Sequence, residues 1–191
     1  MNLPNKLTLL RIVLILPFLL VLYLDVPGAA YIALAVFILA SLTDLLDGKI
    51  ARKYGLITDF GKFADPLADK MLVTAAMLWF VEVGRMPAWA LMIVILREFA
   101  VSGLRMVASD NGRVIAAGWS GKVKTAATMV CVVVMLLLGP EIAWAQGNPL
   151  TAMPVGWLLW IDPVCVAVIT LTTLYSGVEY FVKNKDVISS M

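Results

Sequence analysis

The first apolar stretch of the chain, residues 7–24, reads LTLLRIVLILPFLLVLYL and contains one charged residue, Arg11. A helix needs about 20 apolar residues, and at least about 17, to cross the hydrocarbon core of a bilayer. The stretch therefore predicts a membrane-spanning helix. Its basic start and the small residues at 28–30 would also fit a secretory signal, but further apolar stretches continue to the far end of the chain and favour a span.

Five more apolar stretches follow and explain the unusual composition of the chain. Of its 191 residues, 62% are hydrophobic and 15% are charged, whereas a soluble domain is about 25% charged. We expect an all-α integral membrane protein with six transmembrane helices that form one domain over residues 1–191. Three stretches reach spanning length only if their helices continue into the polar segments 44–53 and 61–70 and other polar flanks. The five stretches are Gly28–Thr43, Leu67–Val83, Met86–Val107, Thr125–Leu138 and Val155–Val182.

Lysine and arginine residues indicate how these helices are oriented. With six spans both termini lie on one side, and the loop segments on that side, 44–70 and 105–124, carry most of the cationic residues. The loops on the opposite side carry only Arg85. Because cationic loops remain in the cytoplasm, we expect a protein of the cytoplasmic membrane, surrounded by membrane lipids, with both termini and both cationic segments on the cytoplasmic face.

The composition also excludes several classes of protein. The chain has no histidine, so neither a Ser-His-Asp hydrolase nor a histidine-ligated zinc site is expected. Its net charge of +2 is too small for a nucleic-acid-binding surface. Cys131 and Cys165 lie in apolar stretches, which is typical of buried thiols rather than of a disulfide framework.

Four aspartates in the polar segments indicate chemistry. Asp44 and Asp47 are about 60° apart around one helix, and Asp65 and Asp69 are about 40° apart around the next. If the two helices pack antiparallel, the four carboxylates converge at the cytoplasmic boundary. Unpaired carboxylates there would repel one another and resist desolvation. The alternative is that they are solvated acids beside neighbouring lysines and arginines.

Divalent cations would balance these carboxylates. Oxygen ligands without histidine or cysteine favour Mg²⁺ or Mn²⁺, and such ions suit phosphoryl chemistry. Small residues on the same segments, Gly48, Ala51 and Gly61, leave room for a bulky ligand to approach the backbone. A cation transporter is a second interpretation, but transport sites usually lie near the bilayer midplane at broken helices or repeats, and the sequence shows acids at helix ends and no repeat.

The pattern Asp44-x2-Asp47-Gly48-x2-Ala51-Arg52-x8-Gly61-x3-Asp65-x3-Asp69 resembles the signature of the CDP-alcohol phosphotransferase family at every defined position. The resemblance implies a six-helix membrane enzyme, usually a homodimer. It also implies two divalent ions, and the transfer of a phosphatidyl or similar group from a CDP-linked donor to an alcohol with release of CMP.

The resemblance assigns roles to individual residues. It implies that Asp44, Asp47 and Asp65 bind metal, and that Asp69 binds metal or acts as the general base. The residues that we expect at the nucleotide end of the donor are Gly48, Arg52, Thr58 and Gly61, with Asn5 and Thr8 at the border of the same pocket.

A second polar set beyond the signature is predicted to bind a phosphate group of the acceptor. A cationic cluster near the carboxylates would hold such a group by charge-assisted hydrogen bonds. Two alternatives stay open: the cations set the topology or contact anionic lipids, and Glu98 is the ion-pair partner of Arg97. The predicted acceptor set is Arg97, Ser102, Arg105, Lys122 and Lys124.

Three stretches, Asn2–Arg11, Arg97–Arg105 and Gly121–Thr125, resemble the branch of this family whose acceptor is sn-glycerol 3-phosphate. The likeness implies transfer of the phosphatidyl group from CDP-diacylglycerol to that acceptor, in phospholipid biosynthesis. The same chemistry on phosphatidylglycerol, serine or inositol phosphate stays open. The last third of the chain carries no motif.

Overall fold

The computed structural model describes residues 3–24, 28–54, 59–110, 115, 118–147 and 156–185, with the side chains of 8–24, 28–43, 68, 70–109, 115, 118–139 and 158–185. All regular structure within these ranges is helical, which confirms the prediction of six helices in an all-α fold. The helices are α1 Leu3–Tyr23, α2 Ala29–Tyr54, α3 Asp59–Glu82, α4 Ala88–Asp110, α5 Trp119–Gly147 and α6 Ile161–Lys183, and a 3₁₀ turn, Gly156–Trp160, leads into α6.

The helices extend beyond the apolar stretches that predicted them. The continuation through 44–53 and 61–70 is confirmed, since α2 ends at Tyr54 and α3 begins at Asp59. In the same way α5 begins at Trp119, six residues before the expected start. An apolar count stops at the first polar residues, whereas backbone hydrogen bonds continue through them.

A glycine-capped turn joins α3 to α4. Gly84 has a φ of +74°, a left-handed conformation that glycine adopts without steric cost. The Gly84 N–H donates to the Val81 carbonyl at 3.1 Å, and the Arg85 N–H donates to the Phe80 carbonyl at 2.8 Å. This pair of bonds is the Schellman motif. It ends α3 and places Arg85 immediately before α4.

Aromatic and branched side chains from most of the helices form the core. Phe18 of α1 and Phe37 of α2 meet with ring centroids 6.1 Å apart, and Phe80, Met135 and Ile169 extend the same buried cluster into α3, α5 and α6. Helix α1 packs against α2 and α3, while α6 packs against α4 and α5. The interior is therefore continuous along the bundle.

The outer faces of the helices also carry large apolar side chains. Leu16, Leu20, Phe99 and Leu171 are between 64% and 74% exposed. Two helical stretches, Trp119–Gly139 and Leu158–Lys183, are long and apolar enough to cross a membrane. Two shorter apolar helical stretches lie at Thr8–Tyr23 and Ala29–Thr43.

Candidate active site

The four signature aspartates lie on two helices that follow each other along the chain. Asp44 and Asp47 belong to α2, and Asp65 and Asp69 belong to α3. Because both segments are α-helical, each pair occupies one face of its helix, as the spacing predicted. The side chains of these aspartates lie outside the described residues, as do Thr58 and the side chains of Asn5 and Arg52, and Gly48 and Gly61 are described only as helical backbone.

An ion cluster around Glu98 joins three helices. Glu98 Oε1 accepts hydrogen bonds from Lys124 Nζ of α5 at 2.7 Å and from Arg97 Nη1 at 2.9 Å. Lys70 Nζ of α3 lies 3.4 Å from Glu98 Oε2. We refer to Lys70, Arg97, Glu98 and Lys124 as the Glu98 cluster. The alternative that Glu98 is the ion-pair partner of Arg97 is confirmed, but Glu98 also holds two lysines.

Three of the four charges of the Glu98 cluster are largely buried, whereas the Lys70 side chain is 37% exposed. The Lys124 side chain is 8% exposed, that of Arg97 13% and that of Glu98 21%. Burying a charge is costly unless it is paired and hydrogen-bonded, and here one carboxylate is shared among three cations. The cluster therefore has cationic hydrogen-bonding capacity beyond what Glu98 uses.

A cleft of about 90 Å³ opens beside three members of this cluster, Lys70, Glu98 and Lys124. Threonines 74, 125 and 128 supply hydroxyls to its wall, and the apolar part is formed by Val73, Met77, Val94 and Met129. A lysine ammonium is a strong phosphate binder. The arrangement is therefore suited to a small anionic ligand with further hydroxyl groups.

Lys70 is the residue of this cleft that the sequence interpretation missed. It follows Asp69 directly and was counted only as part of the polar flank. Its helical spacing offered a signal, because residues 70, 73, 74 and 77 follow an i, i+3, i+4, i+7 pattern and all line the cleft. Lys70 Nζ also donates to Ser102 Oγ at 2.7 Å, which places Ser102 at this side of α4.

The two predicted arginines of α4 both reach α6. Arg97 Nη2 donates to Ser176 Oγ at 2.6 Å. Arg105 Nε donates to the Tyr180 hydroxyl at 3.2 Å, with its guanidinium 5.5 Å from the centre of the Tyr180 ring. Arg97 and Arg105 therefore contact α6, whereas Ser102 contacts α3.

The structure brings together part of the predicted acceptor set. Arg97, Ser102 and Lys124 belong to one connected network through Glu98 and Lys70. Among the described contacts, Arg105 instead packs on Tyr180, and the Lys122 side chain is exposed. At the donor end, Thr8 is fully buried in α1, one turn before the buried Arg11.

Comparison with known proteins gives full-length matches. Residues 1–168 match the family model described as CDP-alcohol phosphatidyltransferase. The Bacillus subtilis (strain 168) protein named CDP-diacylglycerol–glycerol-3-phosphate 3-phosphatidyltransferase is 40% identical over 202 residues, which covers 99% of this chain and 98% of the relative. An Escherichia coli K12 protein of the same name is 35% identical over 188 residues, covering 94% and 92%.

A mycobacterial relative shows the same likeness at a similar level. The Mycobacterium tuberculosis (strain ATCC 25618 / H37Rv) protein named probable phosphatidylglycerophosphate synthase is 36% identical over 182 residues, which covers 94% of this chain and 79% of the relative. The matches therefore extend over both polar segments and the Glu98 cluster.

Proposed function

The chain belongs to the CDP-alcohol phosphatidyltransferase family, and from this premise we propose that it transfers the phosphatidyl group of CDP-diacylglycerol to sn-glycerol 3-phosphate. The products are phosphatidylglycerophosphate and CMP. The observation that carries the proposal is the likeness over the whole chain to the Bacillus subtilis relative whose name states this reaction. The cationic cleft beside Glu98 supports an acceptor that bears a phosphate group.

The proposed enzyme is a single transmembrane domain over residues 1–191 in the cytoplasmic membrane. The exposed apolar faces of the helices and the two stretches of spanning length support this placement. We propose six spans, with both termini and the signature on the cytoplasmic face. The cationic residues concentrate in the segments on the side of the termini, and cationic loops remain in the cytoplasm. A homodimer, which the family resemblance implies, completes the proposal.

The signature aspartates have the chemistry of a divalent-ion site. Asp44, Asp47, Asp65 and Asp69 offer only oxygen ligands, which suit Mg²⁺ or Mn²⁺, and the helical backbone places two on each of two helices. When bound, two such ions would supply positive charge against the donor diphosphate and the CMP that leaves. We assign the nucleotide end of the donor to Gly48, Arg52, Thr58 and Gly61, bordered by Asn5 and Thr8.

We assign the proton transfer to Asp69 and the acceptor phosphate to the cleft. A hydroxyl of glycerol 3-phosphate attacks the β-phosphorus of CDP-diacylglycerol as Asp69 accepts its proton, and the bond to CMP breaks. Lys70 and Lys124 would hold the acceptor phosphate, assisted by Ser102 and Arg97. Lys70 follows Asp69 on α3, so base and phosphate ligand are neighbours on one turn of helix. Arg105, which packs on Tyr180, and the exposed Lys122 do not line the cleft, and we assign them at most a weak electrostatic contribution to acceptor binding.

Release of CMP from a panel of acceptors tests this proposal. The purified full-length protein in detergent with Mg²⁺ or Mn²⁺ is supplied with CDP-diacylglycerol and one acceptor at a time. We expect release with sn-glycerol 3-phosphate and little with phosphatidylglycerol, serine or inositol phosphate. If CMP is released with a different acceptor only, the proposed reaction type stands and the proposed acceptor is wrong. No release with any acceptor, together with metal flux into proteoliposomes, would favour the transporter interpretation.

A further inference from the structure

Arg97 passes from α4 to α6 through a narrow gap between small residues. A Cβ atom added to Gly177 of α6 would lie 3.2 Å from Arg97 Cγ, and one added to Gly121 of α5 would lie 3.6 Å from Arg97 Nη2. Contacts between 3.0 and 3.4 Å are tighter than most real Cβ contacts. The stem of Arg97 therefore fits against α6 because residue 177 has no side chain.

Ser176, the neighbour of Gly177, fixes the end of the Arg97 side chain. Its hydroxyl accepts the hydrogen bond from Arg97 Nη2 at 2.6 Å and is 1% exposed. Hydrogen bonds from a charged donor are stronger than neutral ones, and they weaken steeply with misalignment. Ser176 therefore holds one end of the buried guanidinium, and Glu98 holds the other.

The orientation of Arg97 is passed on to the cleft by Glu98. The other terminal nitrogen, Arg97 Nη1, donates to Glu98 Oε1, the same oxygen that accepts from Lys124 Nζ. Lys70 lies beside the second oxygen of Glu98. Neither Ser176 nor Gly177 lines the cleft, but a single chain of polar contacts links Ser176 to both lysines that do.

We propose that Ser176 and Gly177 are positioning residues for the acceptor phosphate. They fix Arg97, and through Glu98 they fix the ammonium groups of Lys70 and Lys124. Both residues lie beyond residue 168, where the family match ends, in the part of the chain without a sequence motif. The inference rests on the proposed function, because it takes the cleft to be the acceptor site.

Steady-state kinetics of Ser176→Ala test the inference. Losing the bond to a charged group should raise the KM for sn-glycerol 3-phosphate roughly tenfold, with the KM for CDP-diacylglycerol unchanged. The control is Thr173→Val, which removes a buried hydroxyl one turn earlier on α6. That hydroxyl has no hydrogen-bond partner in the described part of the chain. If both variants change the two KM values alike, Ser176 stabilises α6 only and the inference is wrong.

A double-mutant cycle with Arg97→Ala separates positioning from general packing. Gly177→Ala alone should raise the KM for glycerol 3-phosphate, since its new Cβ displaces the Arg97 stem. In the Arg97→Ala background, Ser176→Ala and Gly177→Ala should have no further effect, because residues that act through one side chain are not additive. Additive effects would overturn the inference. The wild-type protein, assayed beside them, tests the proposed function by itself.

Discussion

Two clusters of buried charge lie in the same helix bundle and differ in how many cations share each carboxylate. At the start of α4, Arg85 forms a two-bond pair with Asp162 of α6: Nε donates to Oδ2 at 2.8 Å and Nη2 to Oδ1 at 2.7 Å. About 15 Å further along α4, at 1.5 Å per residue, the Glu98 cluster shares one carboxylate among three cations. The first is a matched pair and the second has a surplus of cationic donors.

This difference suits the first cluster to a structural role and the second to the binding role proposed above. The Arg85 guanidinium meets a carboxylate with two parallel bonds and stacks 5.3 Å from the centre of the Phe80 ring. Such a pair ties the α3–α4 turn to α6 and leaves no net charge. Both clusters border a cleft, since Arg85 and Asp162 line one of about 550 Å³, but of the two the Glu98 cluster is the one that retains positive charge, which a bound phosphate would balance.

Both clusters depend on glycines that allow an arginine to approach a helix. A Cβ atom added to Gly139 of α5 would lie 2.6 Å from Arg85 Nη1, just as one added to Gly177 would lie 3.2 Å from Arg97 Cγ. In both clusters an arginine side chain thus lies close to a glycine of a neighbouring helix. What differs is the partner that each guanidinium finds.

The largest effect on rate should occur at Asp69, next to the Glu98 cluster. Asp69→Asn keeps the size of the side chain but cannot accept a proton, so kcat should fall by about 10²–10⁴-fold while CDP-diacylglycerol still binds. The measurement is CMP release together with binding of the donor. A raised concentration of Mg²⁺ or Mn²⁺ should partly restore CMP release by Asp44→Asn and Asp47→Asn, but not by Asp69→Asn. Restoration of Asp69→Asn by metal would make Asp69 a metal ligand and leave the base unidentified.

Breaking the pair of Arg85 and Asp162 should lower the stability of the fold and leave substrate affinity unchanged. Arg85→Met leaves Asp162 buried without its partner, and removing one member of a buried pair costs about 3–5 kcal/mol. Thermal unfolding in detergent should show the loss, while the KM values of the remaining folded enzyme stay unchanged. The double variant Arg85→Met/Asp162→Leu should recover most of the stability that Arg85→Met loses. A selective rise in the KM for glycerol 3-phosphate would instead place Arg85 in the acceptor site.

The smallest of these effects should distinguish two neighbouring lysines of α5. Lys124→Met removes a phosphate ligand from the cleft, so the KM for sn-glycerol 3-phosphate should rise by about 10- to 150-fold. Lys122→Met, two residues away, changes an exposed side chain and should alter the same KM by no more than about twofold. Equal effects of the two substitutions would mean that both lysines act only as general surface charge. The proposed difference between a binding cluster at Glu98 and a structural pair at Arg85 would then be wrong.

Local pattern determined a large part of this protein. Apolar stretches, three of which needed their polar flanks to reach spanning length, predicted the six helices, and the spacing of Asp44, Asp47, Asp65 and Asp69 predicted helical faces. The whole signature resembles the family whose model matches residues 1–168. These features depend on residues close together along the chain, where the period of the helix decides which side chains share a face.

Apart from the pairing of Arg97 with the adjacent Glu98, the partners of the buried charges were decided by tertiary structure. Arg97 and Ser176 are 79 residues apart, and Lys70 and Ser102 are 32 apart. Which of them meet depends on how α3, α4, α5 and α6 are rotated and crossed against one another, and that arrangement follows from the packing of whole helix surfaces. The sequence itself offered Glu98, the next residue, as a partner of Arg97, but only the packed bundle gave Arg97 its contact with Ser176 and made room for it at Gly177.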